Sequence, residues 1–205
     1  MNEITPKFNI YEQLGYLGTG GILAVLIVFN NFFFEIGLPL PVLTATNLLV
    51  WVLVIYFFGH LLQALTNFFT KIWIIKYWFE EYKGRKTENQ ESIIRGIKQK
   101  FNLHENADIE AWEICYLFAL SKDETNQINQ FNSQYGMYRG WSLLFLLNAL
   151  FYVVLFFTTK SHCIHLLLFF AGSLFVSYLF RLRFKRFWEY IGTKVYATYA
   201  LYKGN

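Results

Sequence analysis

The sequence SHCIHLLLFFAGSLFVSYLF, residues 161–180, is followed at once by RLRFKR, residues 181–186. The first stretch contains no Lys, Arg, Asp or Glu, and its length is that of an α-helix crossing the apolar core of a bilayer. The second stretch places four basic residues in six positions. Basic residues directly after an apolar span mark its cytoplasmic end. Together the two stretches predict a transmembrane helix with a cytoplasmic stop signal.

The composition of the whole chain agrees with a membrane protein. Its 205 residues are 55% hydrophobic and 21% aromatic, and only 16% are charged. Soluble domains carry about 25% charged residues. Three further windows, residues 14–34, 47–69 and 140–159, lack Lys, Arg, Asp and Glu and are each about 20 residues long. Four such windows exceed what the buried helices of a soluble protein show.

These windows define the predicted organisation of an all-α membrane protein with four transmembrane helices. Residues 1–70 hold the N-terminal tail and transmembrane helices one and two, and residues 71–139 form a small helical cytoplasmic insert. Residues 140–180 hold transmembrane helices three and four, and residues 181–205 form a basic, aromatic and amphipathic C-terminal helix at the membrane interface. The chain contains 18 Lys and Arg residues. Ten of them lie in the insert, six in the tail and one, Lys160, between spans three and four. This asymmetry predicts that both termini are cytoplasmic.

The insert is expected to be helical throughout. Thr87 with Gln90, and Ser121 with Glu124, have the spacing of helix-capping pairs. One long helix is expected from about Asp123 to about Thr158. Its residues Ile128, Phe131, Tyr135 and Tyr138 keep a 3-4-3 spacing, which predicts packing against another helix of this subunit or of another one. In the helix before it, the residues expected to face inward are Ile109, Trp112, Cys115 or Tyr116, and Ala119.

The C-terminal tail combines apolar and basic residues at helical spacing. The apolar set is Phe184, Phe187 or Trp188, Ile191, Val195 and Tyr199. The basic residues predicted to contact anionic lipid are Arg181, Arg183, Lys185 and Arg186. The sequence leaves open whether the apolar face enters the membrane interface or docks on the cytoplasmic insert.

Span two carries a polar stripe. His60, Gln63 and Asn67 are three and four residues apart, so they share one face of a helix. Polar side chains within a bilayer face the bundle interior or a wet cavity. Two hypotheses follow: the stripe lines a pore in an oligomer, or it forms hydrogen bonds between helices. Examples of such partners are Asn148 of span three and Ser173 and Ser177 of span four. The glycines of span one, from Gly15 to Gly21, are expected to allow close helix packing.

Other polar clusters carry weaker hypotheses. In the insert, Arg95 and Lys98 belong to a basic group that either binds an anionic ligand such as a nucleotide or forms a solvated face. His162, Cys163 and His165 are too few for a zinc site without a further ligand. We find no catalytic motif in the sequence and expect neither an enzyme, nor a metal or other cofactor, nor direct nucleic-acid binding.

The segments FNSQYGMYRGW (131–141) and RFKRFWEYIGTKVY (183–196) flank spans three and four. In this layout the chain resembles small four-span bacterial membrane proteins that are effectors or accessory subunits of antiphage systems. The resemblance implies an inner-membrane homo-oligomer that changes membrane permeability when a cytoplasmic protein or nucleotide signal acts on it. We therefore expect a channel or permeability effector gated from the cytoplasm. The alternative is a non-conducting anchor or sensor subunit that recruits a soluble cytoplasmic partner, and a membrane-embedded enzyme is third.

Overall fold

The structure, a computed structural model, describes residues 10–42, 44–69, 78–79, 87–159 and 163–203. Six helices account for most of them. They are α1 (Ile10–Phe33), α2 (Leu48–Phe69), α3 (Glu88–Lys100), α4 (Asp108–Lys122), α5 (Gln127–Thr158) and α6 (Cys163–Lys203). The described ranges contain no β-strand, so the predicted all-helical fold is confirmed over them.

Four of the helices, α1, α2, α5 and α6, are long and apolar enough to cross a membrane. They carry the four predicted spans, and the ends of α1 and α2 lie close to the predicted bounds. Large apolar side chains cover their outer surface, for example Phe32, Leu49 and Phe157, which are all more than 70% exposed. Lipid, unlike water, can cover such a surface without a penalty. The four helices therefore indicate a multi-pass membrane protein.

The chain divides into two compact units. Unit 1 comprises residues 1–80 and 133–184, and unit 2 comprises residues 81–132 and 185–205. Unit 1 thus contains α1, α2, most of α5 and the first half of α6. Unit 2 contains α3, α4, the first turn and a half of α5 and the second half of α6.

Within unit 1, α1 and α2 cross so closely that their backbones touch. A Cβ atom added to Gly20 would overlap the carbonyl group of Ile55, and one added to Gly59 would overlap the carbonyl group of Tyr16. Glycine permits this approach, since it is the residue type that lacks a Cβ atom. The expectation that glycines of span one serve packing is confirmed here.

Helix α1 packs on α5 through two more glycines. A Cβ at Gly15 would lie 3.7 Å from Cβ of Met137, and one at Gly18 would lie 3.6 Å from the indole of Trp141. The later residue of α1, Gly18, contacts the later residue of α5, Trp141, so the two helices run parallel. Gly21 has nothing within 4 Å of its Cβ position, so it takes no part in this packing.

Unit 2 begins with a capped helix. Thr87 and Gln90 form the predicted capping box of α3, and Ile94 and Ile97 are buried. At the other end of α3, Asn102 adopts a positive φ of 51°, and the N–H group of Leu103 donates to the carbonyl of Lys98 at 2.9 Å. This turn ends the helix and leads into α4.

The predicted inward face of α4 is partly wrong. Ile109 is 71% exposed, whereas Ala111, Cys115 and Ala119 are fully buried. These three small residues recur every four positions, and a strip of small side chains lets a neighbouring helix approach closely. The Sγ atom of Cys115 lies 4.0 Å from the carbonyl oxygen of Val195 in α6, which identifies that neighbour.

The start of α5 also differs from the prediction. Ser121 is in the last turn of α4, where its hydroxyl donates to the carbonyl of Phe118 at 2.7 Å, so it does not cap the next helix. Asp123 accepts hydrogen bonds from the N–H group of Ile128 at 2.6 Å and from the hydroxyl of Thr125 at 2.8 Å. These bonds hold residues 123–126 in a turn, and the single long helix begins at residue 127.

The 3-4-3 seam of α5 packs on α6 of the same chain. In unit 2, the ring of Phe131 lies 6.2 Å from that of Phe187. In unit 1, the ring of Tyr135 lies 6.0 Å from that of Phe184. The partner left open by the sequence is therefore a helix of the same subunit.

The apolar face of the tail is buried in unit 2. Ile191 and Val195 are buried, and the ring of Tyr196 lies 5.3 Å from that of Trp112 in α4. The ring of Tyr199 lies 5.3 Å from that of Phe118. This packing corrects the prediction of an interfacial tail for this face, because side chains that cover α4 are not available to a membrane. It favours the docked alternative.

Candidate functional site

The polar stripe of α2 begins at His60, which is exposed. Its ring stacks on Tyr16 with a centroid distance of 3.6 Å and meets the edge of Tyr56 at 4.5 Å. Tyr56 in turn donates a hydrogen bond to the Oε1 atom of Gln13. Among the described residues no hydrogen bond to either ring nitrogen of His60 is formed. The imidazole is thus held in place by two aromatic rings, with its polar atoms available to a further partner.

Gln63 and Asn67 turn toward α5. A Cβ atom added to Gly136 would lie 3.6 Å from Cδ of Gln63, so the glycine makes room for this amide. The Oδ1 atom of Asn67 accepts a hydrogen bond from Nη1 of Arg139 at 3.3 Å. The Nε atom of Arg139 is buried and has no hydrogen-bond partner in the described structure. This part of the stripe contains interhelical contacts, as one of the two hypotheses predicted.

Asn148 does not join the stripe. It lies 12 residues beyond Gly136 on α5, about 18 Å along the helix. Its Oδ1 atom accepts from Nδ2 of Asn30 at 2.8 Å, and its own Nδ2 atom donates to Oγ of Ser173 at 2.9 Å. The hydroxyl of Tyr152 donates to Oδ1 of Asn30 at 2.8 Å. The partners of Asn148 are therefore α1 and α6, and the predicted link to α2 is wrong.

The sequence reasoning missed Asn30 and Tyr152. The available signal was Asn30 itself, an amide inside a span without charged residues, since such a group must find a partner within the protein. The structure shows that Asn30 is 7% exposed and that Asn148 is 8% exposed. A buried polar network therefore connects α1, α5 and α6.

A second polar pair joins α5 to α6. The hydroxyl of Ser142 donates to the carbonyl of Ser177 at 3.0 Å, and the hydroxyl of Ser177 donates to the carbonyl of Ser142 at 2.7 Å. Both serines are fully buried. The indole N–H of Trp78 donates to Oγ of Ser142 at 3.1 Å. Each serine hydroxyl thus has a hydrogen-bond partner within the protein, which it needs because the bilayer core contains no water.

The predicted anionic-lipid residues are spread over the two units. In unit 1, Nε of Arg181 donates to the carbonyl of Trp78 at 2.9 Å, and its guanidinium lies 5.0 Å from the indole centroid. The guanidinium of Arg183 lies 6.0 Å from the ring centroid of Tyr138. In unit 2, Lys185 is half-buried and Arg186 is exposed. Cation–π contacts therefore orient two of the four cations.

In the basic group of the insert, Lys98 is paired with a carboxylate. Nζ of Lys98 forms an ion pair with Oδ1 of Asp108 at 2.5 Å and also donates to the carbonyl of Glu105. A lysine that is paired with a carboxylate binds an added anion less tightly, so this ion pair weighs against Lys98 as a ligand contact. Arg95 is exposed on the same helix. The solvated-face hypothesis fits this arrangement better.

The histidines between spans three and four form no metal site in the described structure. His162 lies outside the described residues, and Cys163 is exposed. The ring of His165 lies 5.7 Å from that of Phe33. Among the described residues no group of three potential metal ligands occurs.

Comparisons with known proteins found no matching family model, no similar curated protein and no similar solved structure.

Proposed function

We propose that this protein is a homo-oligomeric channel or permeability effector of the membrane, gated from the cytoplasm. The supporting observation is His60, an exposed polar side chain near the middle of a helix that can span a bilayer. Lipid offers neither donor nor acceptor to the imidazole nitrogens. Another copy of the chain, or water in a shared lumen, would meet this need.

The surroundings of His60 suit a helix–helix contact between copies. Leu53, Phe57, His60, Ala64 and Asn67 are spaced 4-3-4-3 along α2, and all five are exposed. This is the heptad spacing of a packing seam between helices. Copies inserted in the same orientation would bring this seam to a common axis, with the small Ala64 allowing close approach between two polar positions.

A single copy offers little support for a water path through its own bundle. The polar atoms of Asn148, Asn30 and Tyr152 bond to one another, and Ser142 and Ser177 bond to each other's backbone. Polar groups that are already paired do not solvate a passing ion. A conducting path would therefore be built from several α2 helices around an axis, with apolar residues near Leu49 as a gate that closes by dewetting.

Chain continuity supports gating from the cytoplasm. Helix α5 runs without a break from residue 127 in unit 2 to residue 158 in unit 1, and α6 runs from residue 163 in unit 1 to residue 203 in unit 2. A protein or nucleotide signal bound to unit 2 would act on helices that are also part of the membrane bundle. We place unit 2 and both termini in the cytoplasm, and the bundle in the bacterial inner membrane, on the distribution of Lys and Arg.

The resemblance to antiphage effectors supplies the biological setting of the proposal. Cells that carry the gene should survive or block phage infection better than cells without it. Plaque counts with wild-type and His60→Leu genes measure this. Equal plaque counts with and without the gene, over a broad phage panel, would remove the defence role but leave conduction to be tested separately.

Conduction is tested by ion flux into vesicles that contain purified protein. His60→Leu should reduce flux, because it removes the polar group from the proposed lumen. The control is His60→Leu combined with Leu61→His, which restores the composition but moves the histidine to a neighbouring face. We expect the double variant to be as inactive as the single one. Flux in His60→Leu equal to that of the wild type would refute a pore lined by His60.

The second candidate is the non-conducting anchor or sensor. It is favoured by apolar side chains on the surface of unit 2: Ile109 and Leu117 in α4 are 71% and 64% exposed, and Leu201 in α6 is 75% exposed. Outside a membrane, such residues often belong to protein contacts. Assembled protein without flux at any voltage or lipid composition, together with loss of a soluble partner in Ile109→Ser, would establish this alternative.

A further inference from the structure

An open groove runs along the surface of unit 1 between α1 and α6, over α5. Its lining includes Leu26 and Phe29 from α1, Phe145 from α5, and Gly172 and Val176 from α6. Phe29 is 38% exposed and Gly172 is also exposed, so the groove opens toward the outside of the helices. Nothing lies within 4 Å of the position that a Cβ atom would occupy at Gly172. Because these helices are long and apolar enough to cross a membrane, the groove faces lipid.

A row of aromatic rings connects the groove to a cation. The ring of Phe180 lies 5.7 Å from that of Phe145 and 5.9 Å from that of Tyr138. The guanidinium of Arg183 lies 6.0 Å from the ring centroid of Tyr138. Val176, Phe180 and Arg183 are four and three positions apart, so they share one face of α6. The apolar groove therefore has a positive charge at one end, which the proposed topology places at the cytoplasmic side.

The guanidinium of Arg183 is available to an anion. Arg183 is exposed, and no described residue forms a hydrogen bond or an ion pair with its side chain. Residues 13–34 and 133–184, which include the described lining of the groove, contain no Asp or Glu. A guanidinium carries several N–H donors in a geometry that matches phosphate oxygens. This end of the groove is therefore complementary to an anionic headgroup.

We propose that the groove binds one anionic phospholipid of the cytoplasmic leaflet, with its phosphate at Arg183 and one acyl chain along α6 as far as Gly172. Gly172 lies 11 residues before Arg183, which is about 16 Å along the helix. Half of the apolar core of a bilayer is about 15 Å thick. The groove thus has the depth of one leaflet, and the cytoplasmic leaflet is the one that carries negative surface charge.

The headgroup, rather than the acyl chain, should decide which lipid is bound. Any acyl chain can cover an apolar groove, so chains of bulk lipid compete equally for it. A zwitterionic headgroup presents the same phosphate, but its cationic part finds no carboxylate in residues 13–34 and 133–184. An anionic headgroup has no such cation to pair. Phosphatidylglycerol should therefore be preferred to phosphatidylcholine.

Native mass spectrometry of the purified full-length protein tests this preference by counting the lipids that remain bound. The protein is titrated in detergent with phosphatidylglycerol, or with phosphatidylcholine that has the same acyl chains. Phosphatidylglycerol should bind more tightly, and Arg183→Gln should weaken its binding about fivefold, as expected for one cation at an anionic lipid surface. The matched control is Arg186→Gln, which removes the same charge from an exposed arginine in unit 2 and should bind phosphatidylglycerol like the wild type.

Gly172→Leu tests the position of the acyl chain. The leucine side chain would occupy the groove, so it should weaken the binding of long-chain phosphatidylglycerol. Dihexanoyl phosphatidylglycerol should be unaffected, because its short chains end before this residue. The matched control is Gly21→Leu, which makes the same change at another glycine with nothing within 4 Å of its Cβ position and outside the lining of the groove. It should bind both lipids like the wild type.

Four results would overturn the proposal. Equal binding of phosphatidylglycerol and phosphatidylcholine would mean that the headgroup is not selected. Equal losses in Arg183→Gln and Arg186→Gln would mean a general effect of net charge. Equal binding by Gly172→Leu and Gly21→Leu would place the acyl chain elsewhere. Displacement of the lipid by inorganic phosphate would mean an anion site that needs no chain. Because the readout is lipid binding, none of these outcomes depends on whether the protein conducts ions.

Discussion

The close crossing of α1 and α2 makes Gly59 a residue whose replacement should destabilise the protein. In Gly59→Ala the new methyl group would overlap the backbone carbonyl of Tyr16. A backbone atom on a neighbouring helix has no alternative rotamer, so the two helices must separate. Separation would also reduce the contact between Gly20 and Ile55 on the other side of the crossing.

The expected loss follows from two opposing effects. Overpacking costs about 1–3 kcal/mol, and a clash with backbone belongs at the upper end, about 3 kcal/mol. Alanine favours the helix over glycine by about 1 kcal/mol. The net loss is therefore about 2 kcal/mol in the free energy of unfolding.

The assay is reversible unfolding in mixed micelles with increasing fraction of denaturing detergent, followed by helical circular dichroism. Gly21→Ala is the matched control, since nothing lies within 4 Å of its Cβ position and only the helix preference acts. It should gain about 0.5–1 kcal/mol. If Gly59→Ala is as stable as Gly21→Ala, the backbone contact between α1 and α2 does not exist and the packing argument fails.

Three further predictions concern other parts of the chain. Ser177→Ala should lower the free energy of unfolding by about 0.6 kcal/mol, an average membrane hydrogen bond, because its bond to the carbonyl of Ser142 is lost; a change above about 2 kcal/mol in the same detergent titration would contradict this. Burial raises the pKa of Cys115 from 9.0 to about 12, so at pH 8 a maleimide should label the exposed Cys163 and spare Cys115 until the protein unfolds. The contribution of this thiol to stability is complete below pH 9 and is lost as the pH rises toward 12, because the unfolded thiol ionises first. A reporter active only in the periplasm should be silent after Asn205 and active at Lys160, and the opposite pattern would reverse the topology.

The sequence alone was sufficient for the number of membrane helices and their approximate ends. Twenty residues without a charge leave few alternatives to a span, because each charge within a bilayer is costly. Local signals were also read correctly where the chemistry is local. The Thr87 capping box is an example, since it involves residues three positions apart.

Sequence patterns gave a wrong prediction where two neighbouring residues could have played the same structural role. Ser121 and Glu124 have the spacing of a cap, yet Asp123 makes the hydrogen bonds that define the turn before α5. The two candidate capping residues, Ser121 and Asp123, are two positions apart. The one that caps α5 is Asp123, because its carboxylate reaches the free N–H group of Ile128. Similarly, the pairing of Lys98 with Asp108 depends on how α3 and α4 fold back on each other, which a run of basic residues does not indicate.

The choice of partners between distant helices was decided only by the tertiary structure. A helical pattern shows which face of a helix is polar or apolar, but many helices can satisfy that face. Asn148 could have bonded to the stripe of α2, and instead it bonds to Asn30 and Ser173, because α1 and α6 are its neighbours at that height. The apolar face of the tail could have entered the membrane, and it packs on α4, because Ala111, Cys115 and Ala119 leave room for it there. Composition and periodicity determine which surfaces must be covered, whereas three-dimensional packing determines what covers them.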